Sequence, residues 1–268
     1  MLFVCISCKK NESKHKHIRY MYYSMGVENY IIVVGDPTIQ QLYKYDVESR
    51  VLTLKCEDSY DALPCKIVSM CKSVKDLFDP KYIVKVDDDV VLEDISFLRE
   101  CEYGGLPYTT KTDTVHTWHV NKCSDTSKNT PFVMGDWIKR NGLVDVNEIS
   151  YACGGSTYVL GRKAIHILST YSSLCGTHIY EDMFVGYILH TNGIQCERIM
   201  NTTKKRDIGV DLNNRKVMLK NKDIRDFIHP KYIGFMYKDT VGAGLNDRKC
   251  MLSYFLVIAR AYNRILCI

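Results

Sequence analysis

The sequence lacks an apolar run of about 18 or more residues, the length that a membrane-spanning helix requires. The longest apolar stretch, residues 251–268, is interrupted by Arg260 and Arg264. These charges favour an amphipathic helix that packs on the core, although a helix on a membrane surface has the same pattern. The apolar start of the chain is followed at once by two lysines, which does not fit a secretory signal. We therefore expect no transmembrane anchor.

Proline is scarce, with 6 residues in 268, and no low-complexity tract or internal repeat is present. A chain of this length can bury a large core, as one domain or as two small ones. The net charge of +5 is small for a dedicated nucleic-acid binder, so we expect no nucleic-acid partner. The 19 tyrosines suit stacking on sugars or bases, but tyrosine is also common in cores and strands.

Cysteine is abundant, with 12 residues. Because no secretory signal is present, we expect mostly reduced, buried thiols and a cytoplasmic location. Cys5 and Cys8 form a C-x-x-C pair, but no second pair follows at the spacing of a zinc site. We interpret both as strand residues.

Short apolar runs alternate with helical patterns in the first ninety residues, which predicts a largely parallel α/β sheet. The predicted strands are residues 2–7, 30–34, 51–54 and 82–86, with later strands at 155–160 and 194–199. Predicted helices are residues 162–170 and 181–190, and Ile67, Cys71, Val74 and Phe78 recur at helical spacing before the fourth strand. We expect loops and short strands over residues 101–149, and a loop over residues 201–225.

Three consecutive carboxylates, Asp87, Asp88 and Asp89, follow the predicted strand at 82–86. Side chains alternate along an extended chain, so Asp87 and Asp89 point the same way. Ligands of open α/β sheets bind beyond the carboxyl ends of strands, and crowded carboxylates need a neutralising charge. Mg²⁺ or Mn²⁺, held by carboxylates and phosphate oxygens, fits both conditions.

Two other interpretations of the acidic triplet stay open on spacing alone. The three aspartates could form a solvated turn that caps the next helix. A nucleotidyltransferase or a phosphohydrolase would use the same carboxylate chemistry.

Several segments resemble motifs of the β-1,3-galactosyltransferase and fringe-like glycosyltransferases, and they occur in the family's order. Residues 58–66 resemble D-S-Y-x-N-L-T-L-K, with departures at Ala62, Pro64 and Cys65, and residues 85–90 resemble K-x-D-D-D-V. Residues 151–160 resemble P-Y-C-S-G-G-G-Y-V-L-S, and residues 181–186 resemble E-D-V-Y-V-G. Residues 17–19 and 117–120 are weaker matches to I-R-x-T-W and K-W-Y-V.

This resemblance implies the GT-A architecture, an α/β fold in which a nucleotide-binding half is followed by an acceptor-binding half. We expect a single domain over residues 1–268, with the donor half at about 1–110 and the acceptor half at about 111–268. The implied activity is inverting transfer of a hexose, an N-acetylhexosamine or a pentose from a UDP-sugar, with Mn²⁺ or Mg²⁺, to a hydroxyl of a glycan or glycoprotein. A non-catalytic module that binds nucleotide sugars is the remaining alternative.

The resemblance also assigns roles to individual residues. Asp182 is the expected general base, although Glu181 and Asp182 also suit the cap of a helix. Asp89, Asp87 and His229 are the expected metal ligands, with His229 completing the site. We expect Trp118 to be a buried aromatic residue, with a platform for the acceptor as the alternative. The expected contacts to the nucleotide sugar are Arg19, Asp58, Lys66, Asp87, Asp88, Gly154 and Gly155.

Overall fold

The computed structural model describes most of the chain. The described residues are 1–90, 92, 95, 96, 98–155 and 157–199, with the backbone of 224–229, 232–237 and 265–267. The chain divides into two compact units, Met1–Gly209 and Val210–Ile268. Within the described part of the chain, no helix is both long and apolar enough to cross a membrane.

Twelve strands lie among the described residues of the first unit, and they include those that carry the sequence motifs. In chain order they are β1 (Leu2–Ile6), β2 (Tyr30–Gly35), β3 (Tyr43–Asp46), β4 (Val51–Leu54), β5 (Tyr82–Asp87), β6 (Tyr103–Gly105), β7 (Pro107–Lys111), β8 (Val115–His116), β9 (Phe132–Val133), β10 (Glu148–Ala152), β11 (Tyr158–Gly161) and β12 (Glu197–Arg198). Eight of these form one sheet in the order β12-β6-β11-β5-β1-β2-β4-β3. Two further sheets pair β10 with β7 and β8 with β9. The predicted α/β class is confirmed.

Five α-helices lie among the described residues of this unit. They are α1 (His15–Ser24), α2 (Leu63–Phe78), α3 (Met134–Arg140), α4 (Arg162–Leu168) and α5 (Glu181–Thr191). The apolar spacing that predicted α2 is buried as expected, since Ile67, Cys71 and Val74 are fully covered. Asp79 ends α2 in the left-handed conformation, at φ 39°.

The four central strands β5, β1, β2 and β4 are parallel, so their carboxyl ends share one edge of the sheet. Strand β11 runs antiparallel to β5, with Tyr158 opposite Lys85. The segment that leads into β11 therefore reaches the same edge as Asp87. We call this the carboxyl edge.

The sequence did not predict α1, α3 or β3, and these elements show where patterns are weak. Strand β3 reads Tyr-Lys-Tyr-Asp and packs at the end of the sheet, so it has no continuous apolar run. Helix α3 has only 7 residues, too few for two full turns of apolar spacing.

Among the described residues of the second unit, three strands form one sheet: β13 (Ile224–His229), β14 (Tyr232–Tyr237) and β15 (Ile265–Cys267). The prediction of a helix over residues 251–268 is wrong at residues 265–267, which form strand β15. The rest of that segment lies outside the described residues. The loop predicted over 201–225 lies outside them as well, except that its last two residues begin β13.

One disulfide, Cys65–Cys175, joins the start of α2 to the segment before α5, with 4.7 Å between the Cα atoms. The other eight cysteines of the described residues form no disulfide, and four of them are buried, in line with the prediction of mostly reduced, buried thiols. Cys65 and Cys175 are the exception, because the fold brings together two positions that are 110 residues apart. Cys5 lies in β1 as expected. The predicted cytoplasmic location stays a prediction.

We predict that the double variant Cys65→Ala/Cys175→Ala loses about 2–4 kcal/mol in the free energy of unfolding, because the bridge closes a long loop. Urea denaturation without reductant measures this loss. The control variant Cys56→Ala/Cys196→Ala changes two free, partly buried cysteines and should not remove the sensitivity to reductant. Finding both Cys65 and Cys175 as free thiols in the unreduced protein would contradict the bridge.

Candidate functional site

Four lysine–aspartate pairs lie at the carboxyl edge, where the sequence predicted a crowd of carboxylates. Three pairs have N–O distances of 2.5, 2.7 and 3.5 Å, and the fourth is in direct contact. Much of the negative charge at this edge is therefore balanced by the protein's own cations. The pairs are Lys9–Asp36, Lys14–Asp88, Lys66–Asp58 and Lys85–Asp87.

The Lys85 ammonium is buried at the centre of the site and contacts three different segments. Its Nζ lies 2.7 Å from Asp87 Oδ1 on β5 and donates to the carbonyl of Gly154 at 3.0 Å. The same atom lies 3.6 Å from Glu181 Oε2 at the start of α5. It also lies 5.1 Å from the centre of the Tyr158 ring on β11. Lys85 thus connects the end of β5 to α5 and to the segment before β11.

Burial and the neighbouring charges act in opposite directions on this group of residues. Burial lowers the pKa of Lys85, but Asp87 and Glu181 more than compensate, so the net shift is upward. Burial raises the pKa of Asp87 to about 7, although the Lys85 cation opposes that rise. Asp87 is thus a carboxyl group whose negative charge the protein alone does not fully stabilise.

Asp182 lies in the first turn of α5, with its carboxylate held by two backbone donors. Oδ2 accepts from the Gly154 amide at 3.1 Å, and Oδ1 accepts from the Met183 amide at 2.9 Å. Burial and the Glu181 charge raise the pKa of Asp182 to about 6, against the effect of these two amides. A carboxylate that is held in place and has a raised pKa suits proton transfer near neutral pH.

Glu181 is buried and ties α5 to the sheet. The Tyr158 hydroxyl donates to its Oε1, and Lys85 faces its Oε2. Both carboxylates at the start of α5 are therefore engaged with other elements. A capping role alone does not explain these contacts.

Gly154 and Gly155 differ in their surroundings. A Cβ on Gly154 would lie 3.0 Å from the Cβ of Asp182 and 3.1 Å from its carboxyl carbon. A Cβ on Gly155 would meet no atom within 4 Å. Gly154 therefore makes room for Asp182, whereas Gly155 is exposed at the edge of the site.

Three tyrosines are close enough to Asp182 for its charge to affect their pKa values, and we call Tyr60, Tyr151 and Tyr180 the tyrosine cluster. Burial is the largest cause of the raised pKa of each phenol, and the Asp182 charge adds to it. For Tyr151 the value is about 12. The sequence analysis missed this cluster, because its members lie on three separate segments. The only sequence signal was the high tyrosine count.

Asp58 and Lys66 are brought to the carboxyl edge, but their charged groups are engaged within the protein. Lys66 is 1% exposed, and its Nζ contacts Asp58 at 2.5 Å and the Ser7 carbonyl at 3.0 Å. Asp58 also accepts from the amides of Lys9 at 2.6 Å and Gly35 at 2.7 Å. This ion pair fixes the segments that follow β1 and β2.

The side chains of Arg19 and Asp88 make their hydrogen bonds with residues other than Asp87 and Asp182. Arg19 donates to the Ser49 carbonyl, which precedes β4 and so lies at the opposite edge of the sheet. Asp88 is buried and accepts from Ser7 at 2.7 Å and from Asn11 at 2.8 Å. Asp88 therefore holds the end of β5 to the segment after β1.

Of the three candidate metal ligands, Asp87 and Asp89 lie in the described part of the first unit, whereas only the backbone of His229 is described. Asp87 ends β5, and Asp89 follows two residues later as a half-buried residue. No group of three or more His, Cys, Asp or Glu side chains with metal-binding geometry lies within the described residues. His229 ends β13 in the second unit, and its side chain lies outside the described residues. Two carboxylates are the usual protein share of a Mg²⁺ or Mn²⁺ site that is completed by phosphate and water.

We predict that Gly154→Ala lowers turnover of a UDP-sugar at least about tenfold, because the new methyl group displaces the Asp182 carboxylate. Gly155→Ala is the matched control and should keep near-normal turnover, since its Cβ enters open space. UDP release measures both. Equal effects of the two substitutions would show that Asp182 is not held by this contact.

Comparison with known proteins identifies the family of this chain. A sequence model of the galactosyltransferase family, described as "Galactosyltransferase", matches residues 9–200, which is more than half of the chain. That range contains the Lys85 contacts, the tyrosine cluster and the start of α5. A search of curated proteins gives no match.

Two solved structures are distantly similar to this chain. One is the galactosyltransferase LgtC in complex with donor and acceptor sugar analogs, at 10% identity and a TM-score of 0.37, covering 73% of each chain. The other is Drosophila β-1,4-galactosyltransferase 7 in complex with manganese, UDP-Gal and xylobiose, at 12% identity and a TM-score of 0.37, covering 90% of this chain and 96% of that one. From the family match across residues 9–200, we conclude that this chain belongs to the galactosyltransferase family and is a glycosyltransferase that uses a nucleotide sugar.

Proposed function

We propose that the protein is an inverting, metal-dependent glycosyltransferase that moves a sugar from UDP to a hydroxyl of a glycan or glycoprotein. The observation that carries this proposal is the position of Asp182, held by the Gly154 amide beside the Lys85–Asp87 pair. One segment thus places a candidate base next to the edge where nucleotides bind in α/β folds.

Asp182 accepts the proton of the acceptor hydroxyl as its oxygen attacks the anomeric carbon of the donor. The bond between that carbon and the diphosphate oxygen breaks, and UDP leaves with the bonding electrons. Attack from the face opposite the leaving group inverts the anomeric configuration. The Gly154 and Met183 amides keep the carboxylate oriented throughout the reaction.

Asp87 and Asp89 are the residues that would hold Mn²⁺ or Mg²⁺. The raised pKa of Asp87 fits this role, because the protein alone does not fully stabilise its negative charge. When bound, such an ion neutralises charge on the departing diphosphate. Lys85 fixes one oxygen of Asp87 and so sets the direction of that carboxylate. The place of His229 in the site stays a prediction.

A nucleotidyltransferase or phosphohydrolase has no need for the Gly154 and Asp182 arrangement beside a tyrosine cluster. Products separate these activities, because UDP is released in glycosyl transfer, whereas pyrophosphate or inorganic phosphate is released in the alternatives. A module that only binds nucleotide sugars would bind UDP with Mn²⁺ and release no product.

We predict that Asp182→Asn lowers the turnover of UDP-galactose by at least about a hundredfold, the usual scale of a lost general base. In the wild type, kcat/KM should fall below pH about 6, because protonated Asp182 cannot accept a proton.

The free energy of unfolding should also depend on this group. Ionisation of Asp182 lowers the stability of the fold as the pH rises through about 6, since the fold raises this pKa above its usual range. Asp182→Asn should therefore be at least as stable as the wild type above that pH.

The control for this variant is Asp136→Asn, which changes an exposed aspartate in the first turn of α3. Asp136→Asn removes a carboxylate from the first turn of a helix without changing the site. This variant should turn over UDP-galactose at the wild-type rate. Full activity of Asp182→Asn, with unchanged UDP binding in calorimetry, would refute the assignment of the base.

We predict that Asp89→Asn weakens the Mn²⁺-dependent binding of UDP by at least about tenfold in calorimetry, because one of two carboxylate ligands is lost. Asp113→Asn removes the same charge from an exposed residue after β7 and is the control. Asp88 is unsuitable as a control, because its carboxylate accepts buried hydrogen bonds. Equal affinity of Asp89→Asn and the wild type for UDP and Mn²⁺ would count against this ligand.

A further inference from the structure

Trp118 is 73% exposed, which contradicts the expectation that it is a buried aromatic residue. The protein has two tryptophans, and the other, Trp137, is fully buried among aromatic neighbours. An exposed indole ring near a site is available to stack on a sugar ring.

Lys122 connects this ring to the tyrosine cluster. Its Nζ lies 3.6 Å from the centre of the Trp118 ring and 5.7 Å from the centre of the Tyr60 ring. Lys122 forms no ion pair with the residues that the structure describes. Its ammonium group is therefore positioned between two aromatic rings with donor capacity left for a ligand.

The segment that carries Trp118 is anchored beside the catalytic residues. His119 is fully buried, with Nδ1 2.7 Å from the Tyr180 hydroxyl and Nε2 2.7 Å from the Thr130 carbonyl. Tyr180 directly precedes α5 and belongs to the tyrosine cluster around Asp182. The position of Trp118 relative to Asp182 is thus fixed through buried contacts.

His116 adds a polar group to the same wall. Its ring lies 5.8 Å from the Tyr180 ring, in an edge-on contact. Its Nε2 is buried and has no hydrogen-bond partner among the described residues. A buried ring nitrogen without a partner costs free energy, which a ligand hydroxyl would recover.

We propose that Trp118, Lys122 and His116 form an acceptor subsite for the second sugar of an oligosaccharide. The reacting hydroxyl must reach Asp182, so the sugar that bears it lies against the tyrosine cluster. Trp118 is joined to Tyr60 through Lys122 and lies further along this wall. The acceptor class is therefore a glycan of at least two sugars rather than a monosaccharide, with the second ring stacked on the indole. This inference rests on the proposed transferase function.

The test is binding to an array of matched mono-, di- and tetrasaccharides in the presence of UDP and Mn²⁺. The wild type should bind the di- and tetrasaccharides of at least one series about tenfold more tightly than the monosaccharide, the scale of one stacking contact. Trp118→Ala should lose this preference, and Trp118→Tyr should restore most of it. Tyr23→Ala, which removes a 66% exposed ring from α1, is the control and should keep it.

The donor reaction separates failure of the subsite from failure of the enzyme. Hydrolysis of UDP-galactose by the wild type establishes that the enzyme is active, and Tyr23→Ala should hydrolyse it at the same rate, since Tyr23 lies on α1 outside the site. The subsite is overturned if Trp118→Ala keeps the length preference, or if an active wild type binds all lengths equally or binds no glycan. A wild type that neither binds UDP nor hydrolyses UDP-sugars would instead refute the proposed function.

Discussion

The contacts of the buried Lys85 ammonium determine how the two parts of the site are related. Asp87 ends a strand of the sheet, and Asp182 begins a helix almost one hundred residues later. Lys85 touches Asp87, Glu181 and the carbonyl of Gly154. A buried cation needs close acceptors, so each of these groups is held near it. The candidate metal ligand and the candidate base are thus fixed to one common point.

The remaining lysine–aspartate pairs give the carboxyl edge its shape rather than its reactivity. Lys66 and Asp58 hold the ends of β1 and β2, while Asp88 fixes the end of β5 through Ser7 and Asn11. Residues of the same chemical type therefore have different roles at this edge. Their hydrogen bonds separate these roles, because the carboxylates of Asp58 and Asp88 already accept several hydrogen bonds from the protein.

The acceptor side of the site has a different chemical character from the donor side. The charge of Asp182 reaches Tyr60, Tyr151 and Tyr180, and Lys122 lies between the rings of Tyr60 and Trp118. Flat apolar rings with polar edges suit sugars, which present both C–H faces and hydroxyls. Charged groups at the donor edge and aromatic groups at the acceptor side thus match the diphosphate and the glycan, respectively.

The sequence by itself determined the elements with strong patterns and the residues with local motifs. The buried strands β1, β2, β4 and β5 followed from continuous apolar runs, and Asp87 was placed at a strand end because the acidic triplet follows such a run directly. Gly154 and Asp182 were selected through short segments that resemble the motifs of the family.

Only the tertiary structure decided which of these residues meet. It paired Lys85 with Asp87 and Glu181, joined Cys65 to Cys175, and directed Arg19 to the opposite edge of the sheet. It also assembled the tyrosine cluster and left Trp118 exposed beside it. Periodicity reports whether a side chain faces the core, but contacts between distant segments depend on how strands and helices pack. For that reason the charges were visible in the sequence, while their partners were not.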